Sequence, residues 1–201
     1  DGSPDVRSWT KSLEAWNLEP DRIQRAAEEA WHQHTDYWAK QVLDEGLERR
    51  GKSKASDTYR LAVLGHPYLV HDEFINHGML STLRGLGAEV YTVEQVPHGE
   101  LGKTWETQTK RVFWPFGQQI LSAARYFSFH RRVDGIIFLT ACLCGPDALL
   151  GELLQRYMAS QPGTPALIGI TLDEHSGQAG IRTRLEAAVD LMAWRRNHVQ
   201  I

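Results

Sequence analysis

The chain has 201 residues, 42% hydrophobic and 23% charged, a balance that excludes a wholly disordered polypeptide and leaves enough apolar surface for a sizeable core. Its 22 Lys and Arg against 25 Asp and Glu give a formal charge of -3, so no basic excess exists to grip a phosphate backbone, and nucleic acid is not an expected partner. No apolar run approaches the ~20 residues that span a bilayer, the polar start Asp1-Gly2-Ser3-Pro4 shows no signal peptide, and two Cys are no disulfide framework, so a reducing cytoplasm is expected and a membrane partner is not.

In chain order, the first segment reads as helical. Val6, Trp9, Leu13 and Trp16 recur at three- and four-residue steps, with Ser3-Pro4 suited to its start. A second helix is expected from Pro20 to about Glu48, with Ile23, Ala27, Ala30, Trp31, His34, Trp38 and Val42 on one stripe. Large aromatics dominate burial, so Trp31 and Trp38 are expected to dock this helix; an interface role is the alternative. Residues 50–57 are a polar connector. The expected organisation is an N-terminal helical segment and linker over 1–57, then an α/β domain over 58–201.

Beyond the connector, near-continuous apolar runs alternate with helical patterns. The runs are Arg60 to Leu64, Glu89 to Val93, Gly135 to Leu139 and Ala166 to Ile170. Runs without polar alternation are the signature of parallel strands buried on both faces. Candidate helices fall at about 73–86, 115–129, 146–158 and 177–193. The alternation predicts a doubly wound four-stranded parallel sheet, and right-handed crossovers put every strand's C-terminal end on one edge. Ligands bind along that edge, near the switch in strand order.

The four strand-end loops carry the reactive residues. Gly65-His66-Pro67-Tyr68 and His71-Asp72 follow the first strand, and Gln95-Val96-Pro97-His98-Gly99 follows the second. Cys142-Leu143-Cys144-Gly145-Pro146-Asp147 follows the third. Asp173-Glu174-His175-Ser176 follows the fourth, then Gly180, Arg182 and Arg184. A helix opening at Cys144 would favour a thiolate, the form that iron or an electrophile requires. Structural thiols at a tight turn are the plainer alternative. Glu174 beside His175 suits acid–base work, or equally a turn that bonds its own amides. Pro67 holds His66 extended at the strand tip, where it lines a site or packs a turn. One of Arg182 and Arg184 suits a phosphate or carboxylate, while the other pairs with Glu186 or Asp190.

Gly65-His66-Pro67-Tyr68 with Asn76 downstream, Trp114 with Gly117-Gln118-Gln119, Cys144-Gly145-Pro146-Asp147, and Asp173-Glu174-His175-Ser176 followed by Ala179-Gly180, Thr183-Arg184 and Glu186-Ala187 resemble the motifs of one family. It is the acyl-CoA dehydratase activase-related family, kin to the 2-hydroxyacyl-CoA dehydratase and benzoyl-CoA reductase subunits. The resemblance runs over about residues 20 to 195. It implies a flavodoxin-like domain that helps hold a 4Fe–4S cluster, which passes one electron at low potential to an acyl-CoA thioester. ATP would enter only through a separate activase. Cys144 matches the family's motif Cys. Cys142 stands where the family usually has an aromatic residue, and the chain has no third Cys. The resemblance therefore implies a cluster shared with a cysteine-bearing partner domain or subunit, and a component not expected to be active by itself.

Two hypotheses follow. In the first, Cys144 with Cys142 ligates iron–sulfur, Glu174 and His175 are the catalytic pair, and His66 and Arg184 bind the cofactor or CoA phosphates. In the second, the chain is a non-catalytic binding or assembly domain for a CoA-like anion or a partner subunit. Cys–His hydrolysis through Cys144 and His175 is a third arrangement with the same residue types.

Overall fold

The computed structural model describes residues 11, 13, 16–41, 58–97, 99–101, 112–130, 132–161 and 163–198. The expected helix around Val6 and Trp9, the extension of the second helix to Glu48, the connector over 50–57 and His98 lie outside the described residues. The chain divides into two compact units, Asp1–Val42 and Leu43–Ile201.

In the first unit, helix α1 spans Pro20–Gln41. Pro20 suits a first turn, and Asp21 meets the positive helix end. The apolar stripe is only partly inward. Ile23, Ala27 and Trp38 are buried and Trp31 is half-buried, but Ala30 and His34 are exposed. His34 bridges two indoles one turn to either side, 5.7 Å from Trp31 and 6.1 Å from Trp38.

The second unit is built from β1 (Tyr59–Leu64), α2 (Pro67–His71), α3 (Met79–Gly85), β2 (Ala88–Tyr91), α4 (Pro115–Phe129), β3 (Gly135–Ala141), α5 (Gly145–Ser160), β4 (Ala166–Leu172) and α6 (Gln178–His198). The four strands form one sheet in the order β2-β1-β3-β4, every neighbouring pair parallel. Leu61 pairs with Gly135, and β3 pairs with β4 from Gly135↔Ala166 to Ala141↔Leu172. This is the doubly wound architecture that the alternating pattern predicts, and it agrees with the flavodoxin-like fold that the resemblance implies.

Helices cover both faces. Leu61, Val63, Ile137 and Leu139 point to one side and pack with Met79 and Leu83 of α3 and Ile181, Leu185 and Met192 of α6. Strand alternation sends Ala62, Leu64, Ile136 and Phe138 to the other side. There Phe138 lies under α5, 3.5 Å from where a Cβ on Gly151 would stand. Gly117 of α4 meets Leu150 of α5 with similarly little room. Two-sided burial is the physical reason the β1 and β3 sequences show no polar alternation.

Two differences from the sequence expectation have a clear local cause. β2 ends at Tyr91 rather than Val93, because Thr92 and Gln95 form a reciprocal cap that turns Val93–Gln95 into a 3-10 turn. The helix expected over 73–86 is shorter, Met79–Gly85, and a separate short helix, Pro67–His71, precedes it. Asp72 Oδ1 accepts from the backbone N–H groups of Phe74 and Ile75, a local bond that competes with a continuous helix. His77 and Gly78 then take left-handed backbone, and α3 starts only at Met79.

Candidate functional site

Strand order reverses between β1 and β3: the chain leaves β1 toward β2 on one side and β3 toward β4 on the other. The crevice at such a switch, beyond the C-terminal strand ends, is where this architecture receives ligands. The residues there come from the β1–α2 and β3–α5 turns.

After β3, the chain reverses in three residues. Cys142 N–H donates to Leu172 O at 2.8 Å, and Cys144 N–H closes the turn on Ala141 O at 3.1 Å. Leu143 takes φ of 62°, left-handed backbone that costs a non-glycine residue about 1–2 kcal/mol. Its side chain is 99% exposed. Cys144 is the N-cap of the sixteen-residue α5, with its side chain free of any capping bond, and Pro146 lies in the first turn. Asp147, one position further, is completely buried. Carboxylates are favoured in a helix's first turn by the unpaired N–H groups there.

After β1, Gly65 brings the two strand tips together. A Cβ at Gly65 would stand 3.0 Å from both the Cβ and the carbonyl oxygen of Leu139, so any larger residue would push against the β3 backbone. His66 caps α2 in extended backbone, as Pro67 requires. Asn76 anchors this short helix from below: it is buried, donates to Leu69 O at 3.1 Å and Val70 O at 2.7 Å, and accepts from Met79 N–H at 3.1 Å.

The two turns meet through side chains. His66 Nε2–H donates to Asp147 Oδ1 at 3.0 Å across 81 residues of sequence. The imidazole stacks on Tyr68 at 5.7 Å and meets the edge of Phe116 at 5.5 Å, so two rings wall it in. His66, Cys144 and Asp147 each offer a ligand atom, all within 4.8 Å of one another. Burial, then the negative charges of Asp147 and Cys144, raises the Tyr68 phenol above its ordinary pKa. Asp147 Oδ2 is buried and has no hydrogen-bond partner.

The other sequence candidates lie elsewhere. Cys142 is exposed and stands outside this group. Glu174 and His175 sit in the turn after β4, 3.8 Å apart, with side chains 81% and 86% exposed. That turn satisfies itself: Asp173 Oδ1 accepts from His175 N–H at 3.0 Å and Ser176 Oγ–H at 2.8 Å. The Ser176 bond, acting against a small desolvation, holds the Asp173 carboxyl below its usual range. Arg182 pairs with Glu186 at 2.9 Å, one helical turn on, and Arg184 is exposed on α6. In the sequence, Asp147 stands out only as part of a motif. An acidic residue in the first turn of the helix after a central strand is the signal that could have singled it out.

The usual 4Fe–4S ligand set is four thiolates. The grouped residues supply one thiolate, an imidazole and a buried carboxylate, and the chain holds only one further Cys. The donors of this chain by themselves do not fit a complete cluster. Among the described residues, no helix is long and apolar enough to cross a membrane.

Residues 4–96 match the family model described as CoA enzyme activase uncharacterised domain. The match takes in Gly65-His66-Pro67-Tyr68 and Asn76 and stops before the Cys144 and Asp173 turns. None of the curated proteins compared matches the chain. Over residues 4–96, the chain is similar to the activase-related family of CoA enzymes.

Proposed function

We propose that this chain is a domain of an iron–sulfur acyl-CoA dehydratase- or reductase-type protein, and that its switch-point crevice contributes ligands to a 4Fe–4S cluster completed by a cysteine-bearing partner domain or subunit. The observation that supports it best is the convergence of Cys144, His66 and Asp147 at the N-terminal end of α5. Cys144 is half-buried, with its side chain free of any capping bond. Cys142, exposed two residues before, is the second thiol this chain offers to a partner. A shared cluster would supply low-potential electron transfer to acyl-CoA chemistry, and an ATP-dependent activase would recharge it. Glu174 and His175 on the neighbouring turn stand open to a large substrate, and Arg184 is exposed where a CoA phosphate could reach it.

The test is anaerobic reconstitution of the full chain together with its cysteine-bearing partner, followed by iron and acid-labile sulfide counting. Uptake of both in equal amounts, lost on Cys144→Ser, is the expected result. Uptake that survives Cys144→Ser would sink the role of this crevice.

A second reading, a non-catalytic assembly domain that binds a CoA-like anion or a partner subunit, draws on the rim. Leu143 is 99% exposed in left-handed backbone, and Tyr68 and Phe116, which flank His66, are 50% and 46% exposed. Stable assembly with the partner in the absence of iron and sulfide would favour it.

A further inference from the structure

We propose that His66, Cys144 and Asp147 form a mononuclear site for a divalent first-row transition ion of the Fe2+ or Zn2+ class, held by this chain without its partner. The inference rests on Cys144 being a metal ligand, as above, but not on the cluster.

The first observation is geometric. One nitrogen, one sulfur and one carboxylate oxygen lie within 4.8 Å of one another beyond the C-terminal ends of β1 and β3. Ligand atoms bound tetrahedrally at about 2.0–2.3 Å stand about 3.3–3.8 Å apart, so side-chain movements of about 1 Å bring all three onto one centre. The second observation is independent and concerns Asp147. Its side chain is fully buried, and Oδ2 has no partner while Oδ1 meets His66. A buried carboxylate oxygen left unpaired is costly, and a cation beside it removes that cost.

Charge and softness select the ion. A carboxylate and a thiolate bring two negative charges and a neutral imidazole brings none, which balances a 2+ ion. Mg2+ and Ca2+ prefer oxygen donors throughout, whereas mixed N, O and S donors suit Fe2+, Co2+ and Zn2+. Three protein ligands leave one position open toward the crevice, the arrangement of sites that bind a water or substrate atom. On binding, the Cys144 thiol releases its proton to solvent, and the His66 ring shifts its proton from Nε2 to Nδ1, so that Nε2 exchanges its bond to Asp147 for the ion. Tyr68 and Phe116 hold the imidazole plane.

The test is anaerobic titration of the full chain with Co2+, followed by displacement with Zn2+. One equivalent is expected to bind with a near-ultraviolet thiolate-to-cobalt charge-transfer band. Cys144→Ser should abolish that band. Loss of outer-shell partners typically weakens metal binding 10–100-fold, so loss of a direct ligand in His66→Gln or Asp147→Asn should cost about 100-fold or more. Circular dichroism melts verify that each variant folds. Zinc-edge X-ray absorption of the loaded wild type needs no variant and is expected to show one sulfur with nitrogen and oxygen ligands. Absence of Co2+ binding, binding without the charge-transfer band, two sulfur ligands, or a folded Asp147→Asn of unchanged affinity would each overturn the site. If the isolated chain binds no Co2+ while the assembly with partner still takes up iron and sulfide through Cys144, this inference fails and the cluster proposal survives. One bound Co2+ per chain, with no iron and sulfide uptake by the assembly, would uphold the mononuclear site and overturn the cluster.

Discussion

The turns after β3 and β4 begin from the same place and end very differently. Their strands are neighbours paired over seven residues, up to Ala141↔Leu172, and each leads through a short turn into a long helix. After β3, the carboxylate of Asp147 is fully buried and faces His66 from another strand. After β4, Asp173 spends its carboxylate on its own turn, and Glu174 and His175 stand in solvent. The difference is position in the sheet. β3 is central and borders the switch in strand order, so its turn faces the β1 turn across a crevice; β4 is an edge strand and its turn has a neighbour on one side only. Acidic and imidazole groups close in sequence make a conspicuous motif, but the sheet decides whether they are enclosed.

That contrast can be broken by mutation, most severely from beneath the β1 turn. Asn76→Ala would strand two carbonyls and one N–H that the buried amide now satisfies. At roughly 1 kcal/mol or more for each buried group, about 3 kcal/mol of stability should be lost in urea unfolding. A loss below about 1 kcal/mol would mean that α2 is not held this way. Next in size is Gly65→Ala, where the new methyl would stand 3.0 Å from the Leu139 carbonyl. Overpacking of this kind costs about 1–3 kcal/mol, and Cys144 should become more accessible to alkylation as the β1 and β3 turns part. Unchanged stability and alkylation rate would show that the tips tolerate separation.

The β4 turn should respond weakly. Glu174→Gln and His175→Gln are expected to change stability by no more than about 0.5 kcal/mol, as exposed substitutions do. A larger effect would reveal contacts that bury this turn. The smallest effect is that of pH on Asp173. Its folded-state pKa lies below the ordinary 3.8. The bond to Ser176 therefore stabilises the fold fully above pH 3.8 and is lost as pH falls through the lower, folded-state value. Carboxyl titration by NMR should give a midpoint below 3.8 that moves up in Ser176→Ala; a midpoint at or above 3.8 in the wild type would contradict the bond.

Much of the fold was legible from residue pattern. The four apolar runs are the four strands, all of them parallel, and β1 and β3 carry unbroken apolar sequence because both their faces are covered. Less legible was the segment after His71. Local side-chain bonds from Asp72 interrupt a helix that periodicity alone extends over 73–86. The candidate site was half legible. His66 and Cys144 were placed on one edge by topology, while Glu174 and His175, the more conspicuous pair, lie outside the group that forms.

The sequence by itself determined the parallel α/β order, the strand-end position of both cysteines and His66, and the helix start at Cys144. These depend on local pattern: apolar continuity, a proline in a first turn, a glycine at a strand tip. Only the tertiary structure decided that Asp147 is buried, that one of its oxygens has no partner, and that His66 rather than His175 stands beside it. Those facts depend on strand register and on how deeply each helix start sinks between its neighbours, and His66 and Asp147 are 81 residues apart in the chain. Burial of a single carboxylate is a property of the packed crevice, set by contacts that no local spacing records.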